Sequence, residues 1–79
     1  MGSRLADYLL SLPGRPHRGG LEVELPVAKK DVASLLDTTP ESLSRELRRL
    51  RQSGVIIAQE GRRLVIGDLD SLMELSAQG

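Results

Sequence analysis

Cysteine, tryptophan and phenylalanine are absent from this chain of 79 residues. Without cysteine, disulfides, thiolate metal sites and thiol nucleophiles are excluded. No apolar run approaches the ~18 residues that a membrane span needs, and no signal-peptide pattern opens the chain. The sequence therefore predicts a single small domain over residues 1–79 with no membrane partner, and Met1, Gly2 and Ser3 are interpreted as a cloning remnant.

Residues that carry catalytic chemistry are also scarce. His17 is the only histidine and lies in a Gly/Pro-rich stretch away from any paired carboxylate. There is no nucleophile elbow, no glycine-rich phosphate loop followed by Lys-Ser/Thr, and no metal-ligand spacing. Tyr8, the only aromatic residue, falls on an apolar helical stripe, which leaves no stacking platform for single-stranded RNA. We therefore expect no enzyme, no catalytic residue, no metal site and no cofactor in this chain.

Net charge is zero, but the charges are unevenly placed. Residues 38–63 hold six arginines against three glutamates, a local charge of +3, whereas residues 64–79 hold three acidic residues and no basic one. A basic middle segment suits a polyanionic partner. Solvated helix faces would explain the same charges equally well.

The N-terminal part of the chain predicts a helix and then a loop. Apolar residues recur at helical spacing at Leu5, Tyr8, Leu9 and Leu12. Pro13 and Gly14 end this helix. The stretch PGRPHRGG at 13–20 is too rich in glycine and proline for regular structure, and we expect a flexible loop there.

A short strand and a second helix follow. Residues 21–25 alternate apolar and acidic side chains as a strand does, and Pro26 stops the strand. From Ala28 the helical period returns, and its apolar stripe comprises Val32, Leu35 and Leu36. Asp37 follows where a helix-ending residue with positive φ is useful.

A third helix is predicted over 39–52, and its start has two interpretations. In one, Thr39 is the N-cap and Pro40 takes the first helical position, where its missing N–H costs nothing. In the other, Thr38 is the N-cap and Glu41 completes a capping box. Gly54 marks the end of the helix.

The C-terminal part predicts a β-hairpin and a last helix. Two β-rich runs, 55–58 and 64–66, flank the loop QEGRR, in which Gly61 suits positive φ. Asp68 can cap a helix whose stripe comprises Leu69, Leu72, Met73 and Leu75. The fold class is thus α+β, mainly α: a winged helix-turn-helix, with the helix-turn-helix at about 28–53 and the wing at about 55–66.

The third helix presents a polar face that suits DNA. At about 100° per residue, four side chains fall on the side opposite Leu43 and Leu47. These four are Glu41, Ser44, Arg45 and Arg48. In a major groove, arginine can donate two hydrogen bonds to guanine, glutamate can accept from cytosine, and serine can do either. We therefore expect this helix to read bases.

Other basic residues suit the DNA backbone. Arg49 lies on the flank of the third helix and, like Arg48, is assigned to the DNA backbone. Lys29, Arg62 and Arg63 suit phosphates if the wing lies along the backbone. Two alternatives stay open. Glu41 and Arg45 have the i,i+4 spacing of an ordinary ion pair on a solvated helix, and a winged helix also serves as a protein-docking module.

The chain from about Arg4 onward resembles the C-terminal DNA-binding domain of the Crp/Fnr superfamily of bacterial transcription regulators. The similarity is carried by LPVAKKDVASLLDTTPESLSRELRRLRQSGVI at 25–56 and GRRLVIGDLDSL at 61–72. Its most specific portion is PESLSR, which matches the Glu-x-x-Ser-Arg recognition motif of the Fnr-like branch, including the Pro-Glu-x-x-Ser-Arg form of Dnr-type regulators.

This resemblance implies a TTGAT-like half-site arranged as an inverted repeat. The implied base-reading residues are Glu41, Ser44 and Arg45. The implied phosphate contacts are Lys29, Thr39 and Ser42. Pro40 replaces the arginine of the cyclic-AMP receptor branch, which argues against that branch's site preference.

The chain also departs from the family pattern. Ala28 stands where the family often has a Ser or Thr cap, so that phosphate contact is expected to be lost, and Asp37 replaces the common turn glycine. The sensor domain and dimerisation helix of the family are missing. We therefore expect a monomeric fragment of a longer, homodimeric regulator in the bacterial cytoplasm, associated with the nucleoid, with RNA polymerase as a candidate partner and an unidentified signal.

Overall fold

The computed structural model describes residues 2–77. Of the predicted cloning remnant, Met1 lies outside the described residues, and Gly2 and Ser3 form the start of the first helix. The elements in chain order are α1 (Gly2–Ser11), β1 (Gly14–His17), β2 (Gly20–Glu24), α2 (Lys29–Leu35), α3 (Pro40–Gln52), β3 (Ile56–Glu60), β4 (Arg63–Ile66) and α4 (Leu69–Ala77). Helices α2 and α3 form the helix-turn-helix, and β3 and β4 form the wing. The predicted winged helix-turn-helix of class α+β is confirmed.

The strands form one antiparallel sheet in the order β1-β2-β4-β3. Strand β2 therefore joins the wing to the N-terminal hairpin. In the β2–β4 register, Val23 lies opposite Leu64 and Glu24 lies opposite Arg63. Val23 and Leu64 are both buried in the core. None of the described helices is long and apolar enough to cross a membrane.

The prediction of irregular structure over 13–20 is wrong. Residues Gly14–His17 form β1 and pair with β2 across a two-residue turn at Arg18 and Gly19, where Gly19 has φ of 68°. Pro16 is tolerated because β1 is an edge strand. At Gly14 an added Cβ would come within 2.6 Å of the Leu21 side chain. The glycines and the proline that argued against regular structure thus fit a tight edge hairpin.

The core lies between the four helices and the inner face of the sheet. Its largest fully buried side chains are Leu5, Leu9, Leu25, Leu43, Ile56, Leu64, Ile66, Leu72, Val23 and Val32. Two predicted core positions are wrong, because Leu35 is 66% exposed and Met73 is 50% exposed. Helix α2 buries Val32 and Ala33, and Leu35 lies about 110° from the middle of that face.

The turn between α2 and α3 is fixed by backbone hydrogen bonds. The Thr38 N–H donates to the Ala33 carbonyl at 2.9 Å, and the Asp37 N–H donates to the Ser34 carbonyl at 3.1 Å. These two bonds form a Schellman motif, which requires a left-handed residue after the C-cap. Asp37 supplies that residue with φ of 57°, so the predicted positive φ is confirmed.

Thr39, and not Thr38, is the N-cap of α3. Its φ of −99° and ψ of 155° are extended, and its hydroxyl accepts from the Ser42 N–H at 3.1 Å. We expect Thr39→Ala to lower the free energy of unfolding by about 1 kcal/mol, whereas Thr38→Ala should change it by less than half as much. Urea unfolding of the two variants checks this. A larger loss at Thr38 would contradict the assignment.

Asp68 caps α4, and its carboxylate makes the stability of the fold depend on pH in the acid range. The Ser71 N–H donates to Oδ1 at 3.0 Å and the Ser71 hydroxyl donates to Oδ2 at 2.8 Å. These bonds, the backbone one foremost, lower the pKa of Asp68 below its ordinary value of 3.8. A carboxyl whose pKa is lower in the folded state stabilises the fold above its unfolded pKa, and loses that contribution as pH falls through the folded pKa.

We therefore expect the melting temperature of Asp68→Ala to lie below that of the unmodified chain by a constant difference down to about pH 4. The difference should shrink at lower pH, since protonation removes the carboxylate acceptor. Circular dichroism melts from pH 7 to 2 measure it. A difference that stays unchanged at the lowest pH would show that the carboxylate charge plays no part in the cap.

Candidate nucleic-acid interface

The outward face of α3 gathers the predicted base-reading residues and one arginine, Arg48, that is predicted to contact the DNA backbone. Glu41, Ser44, Arg45 and Arg48 are all exposed and, together with Pro40, line one shallow surface depression. The opposite face carries Leu43, Leu47 and Leu50, which are 1%, 3% and 7% exposed. The amphipathic division predicted from the sequence is therefore present. An acceptor, a hydroxyl and two guanidinium groups share one accessible surface.

The predicted alternative of a Glu41–Arg45 ion pair is not formed. Within residues 2–77, neither Arg45 nor Arg48 has a carboxylate oxygen within 4.0 Å. Arg49 differs, because its Nη1 lies 3.4 Å from Glu46 Oε1. The guanidinium groups on the middle of this face are thus available to an external acceptor, whereas the one on the flank already has a partner.

Thr39 and Ser42 form a hydrogen-bond chain at the start of α3. The Thr39 hydroxyl accepts from the Ser42 N–H and donates to Ser42 Oγ, both at 3.1 Å. One hydroxyl proton is therefore shared between the two side chains. The other remains available to an external acceptor such as a phosphate.

The wing arginines meet a carboxylate that the sequence analysis did not single out. Glu24, at the end of β2, lies with Oε2 3.8 Å from Arg62 Nη2 and Oε1 3.9 Å from Arg63 Nε. The acidic residue was visible in the alternating strand at 21–25, but only the sheet register reveals that it faces the wing. Two of the predicted backbone contacts thus share one internal partner.

Lys29 is the first residue of α2, is half-buried, and is not among the residues that line the depression on α3. The N-cap before it, Ala28, makes no side-chain hydrogen bond. A further contact, also missed from the sequence, holds the other end of α2: Arg4 Nη1 donates to the Leu36 carbonyl at 3.3 Å. This bond connects α1 to the turn that precedes α3.

Comparisons with known proteins agree with the fold. Residues 3–75 match the Crp-like helix-turn-helix domain. The anaerobic regulatory protein of Pasteurella multocida (strain Pm70) is 34% identical in an alignment of 76 positions that covers 92% of this chain and 28% of that protein. The chain thus spans less than a third of this relative.

Solved structures resemble the fold closely. The CO-dependent transcription factor CooA from Carboxydothermus hydrogenoformans superposes with a TM-score of 0.87 at 28% identity, over 95% of this chain and 36% of that one. A CRP-family transcriptional regulator from Thermus thermophilus gives a TM-score of 0.81 at 31% identity, over 96% of this chain and 40% of that one. Both similarities cover nearly the whole chain.

Proposed function

Because the chain belongs to the family of Crp-like helix-turn-helix domains, we propose that it binds duplex DNA sequence-specifically as the output domain of a longer bacterial transcription regulator. The observation that carries this proposal is the outward face of α3, where Glu41, Ser44, Arg45 and Arg48 line one exposed surface. A helix held out by a tight turn after another helix is the geometry that enters a major groove.

Base reading is assigned to Glu41, Ser44 and Arg45. A carboxylate beside DNA is repelled by phosphates unless a base donates to it, so Glu41 at the front of the helix favours reading of a cytosine amino group. Arg45 has no carboxylate within 4.0 Å among the described residues and can donate to guanine O6 and N7. The half-site proposed is TTGAT-like, arranged as an inverted repeat.

Phosphate contacts are assigned to residues around that face. Ser42 is half-buried at the start of α3, and Arg48 and Arg49 are exposed on the same helix. The remaining assigned contacts are Lys29, Thr39, Arg62 and Arg63. Such contacts set the position of the protein on DNA and contribute no sequence information directly.

The whole regulator is proposed to be a cytoplasmic, nucleoid-associated homodimer without enzymatic activity, with RNA polymerase as a candidate partner. An inverted-repeat operator matches a two-fold protein whose half-sites lie about one helical turn apart. This chain spans about two fifths or less of each of these relatives, and the isolated domain is proposed to be a monomer. The affinity of the isolated domain for DNA should be poor, because linking two DNA-binding domains in a dimer raises affinity through effective concentration.

The test is an NMR titration of the chain with two short duplexes of equal composition. One holds a TTGAT-N4-ATCAA inverted repeat and the other holds the same bases scrambled. Shifts concentrated between Glu41 and Arg49 with the repeat, and weaker diffuse shifts with the scramble, would support sequence reading by α3. Identical weak responses would indicate an electrostatic binder or a different operator. No response to either at low salt would favour the docking module.

A further inference from the structure

The charges around the wing turn sum to zero once β2 is paired with the wing, although the wing itself is basic. Arg62 and Arg63 lie at the wing turn, but Glu24 from β2 and Glu60 from β3 are the residues directly opposite Arg63 on its two neighbouring strands. Directly opposite residues of antiparallel strands point to the same face of the sheet. Two carboxylates therefore flank the arginines that were assigned to phosphates.

Glu24 makes the closer approach, and the backbone holds it there. Its two carboxylate oxygens lie 3.8 Å from Arg62 and 3.9 Å from Arg63. The next residue, Leu25, donates its N–H to the Arg62 carbonyl at 2.8 Å, which fixes the end of β2 beside the wing turn. Glu60 has no ion pair with Arg63 within 4.0 Å in the described part of the chain.

These ion pairs are of a kind that a phosphate can displace. The side chains of Glu24, Arg62 and Arg63 are 56%, 52% and 67% exposed, so solvent screens the pairs and each is worth little. Both distances exceed that of a hydrogen bond. The donors therefore remain unsaturated, and the Glu24 carboxylate would repel a phosphate oxygen that approached the same two guanidinium groups.

We propose that Glu24 is an internal competitor for the wing arginines, which limits the sequence-independent affinity of this domain for DNA. This inference rests on the proposed DNA-binding function. In the free protein the Glu24 carboxylate occupies the position of a backbone phosphate between Arg62 and Arg63. Bases are not involved, so the effect is the same for every DNA sequence.

The test compares Glu24→Gln with Glu60→Gln in fluorescence titrations of a scrambled duplex. Both substitutions remove one negative charge from the same face of the sheet, but only the first removes the ion pairs. Glu24→Gln should tighten binding about three- to tenfold at about 50 mM salt and steepen the salt dependence by about one to two units. Glu60→Gln should tighten binding less than twofold.

A third arm repeats Glu24→Gln in a chain that also carries Arg62→Gln and Arg63→Gln, where the tightening should vanish. Equal tightening by both glutamine variants, no tightening by Glu24→Gln, or tightening that survives without the arginines would each overturn the inference. If the unmodified chain binds and only the Glu24 effect is missing, the proposed function stands. If neither the unmodified chain nor Glu24→Gln binds any duplex, both proposals are overturned.

Discussion

Arg45→Ala should weaken binding to the TTGAT-type repeat by about 1–3 kcal/mol and relax the preference at one base pair. The physical reason is that a bidentate arginine–guanine pair is lost, and an alanine at that position discriminates among bases poorly. Arg45 is exposed and makes no ion pair among the described residues. The substitution should therefore leave the free energy of unfolding nearly unchanged.

Arg49→Ala is the matched control for this variant. It removes the same charge from the same helix, but from the flank, where Arg49 is paired with Glu46 at 3.4 Å. We expect it to weaken all sequences alike and to make the salt dependence shallower by about one unit. Anisotropy titrations against duplexes with single base-pair changes measure both variants. If both weaken specific and scrambled DNA equally, Arg45 is a phosphate contact and not a base reader.

The order of elements could be predicted from the sequence because each boundary has a local cause. Gly54 has φ of 87° and Gly61 has φ of 58°, so both occupy the left-handed conformations for which glycine was expected. Asp37 and Asp68 likewise occupy their predicted end positions. These features depend on a few adjacent residues, and a single sequence contains that information.

The wrong predictions concern features that depend on contacts between residues far apart in the sequence. In the hairpin at 14–24, β2 pairs with β4 on one edge and with β1 on the other. Local composition cannot reveal this long-range pairing. The exposed Leu35 is a second example. The spacing of apolar residues correctly predicted a helix, but which face of that helix is buried depends on the elements it packs against.

The candidate site also has one part that could be predicted from the sequence and one part that could not. The polar face of α3 could be predicted because helical geometry alone places Glu41, Ser44 and Arg45 opposite Leu43. The partner of the wing arginines could not, because Glu24 lies 38 and 39 positions before Arg62 and Arg63 and reaches them only through the β2–β4 register. Counting charges by segment therefore overestimated the basic character of the wing.

Leu43→Ala should destabilise the domain by about 2–5 kcal/mol. Leu43 is 1% exposed and packs α3 against the core. Truncation of its side chain therefore removes buried apolar contacts and leaves a cavity. At about 0.05–0.15 kcal/mol per residue, a domain of this size has about 4–12 kcal/mol in total. The variant should therefore be partly unfolded at 37 °C and bind DNA weakly without losing any contact residue.

Leu35→Ala is the control, since it removes the same atoms from a side chain that is 66% exposed on the neighbouring helix. It should change the free energy of unfolding by less than about 0.5 kcal/mol. Urea unfolding followed by circular dichroism measures both. Low temperature should restore much of the DNA binding of Leu43→Ala, because the folded fraction rises while the contact residues are intact. If Leu35→Ala lowered the free energy of unfolding as much as Leu43→Ala, α2 would pack through the face that carries Leu35, contrary to the structure.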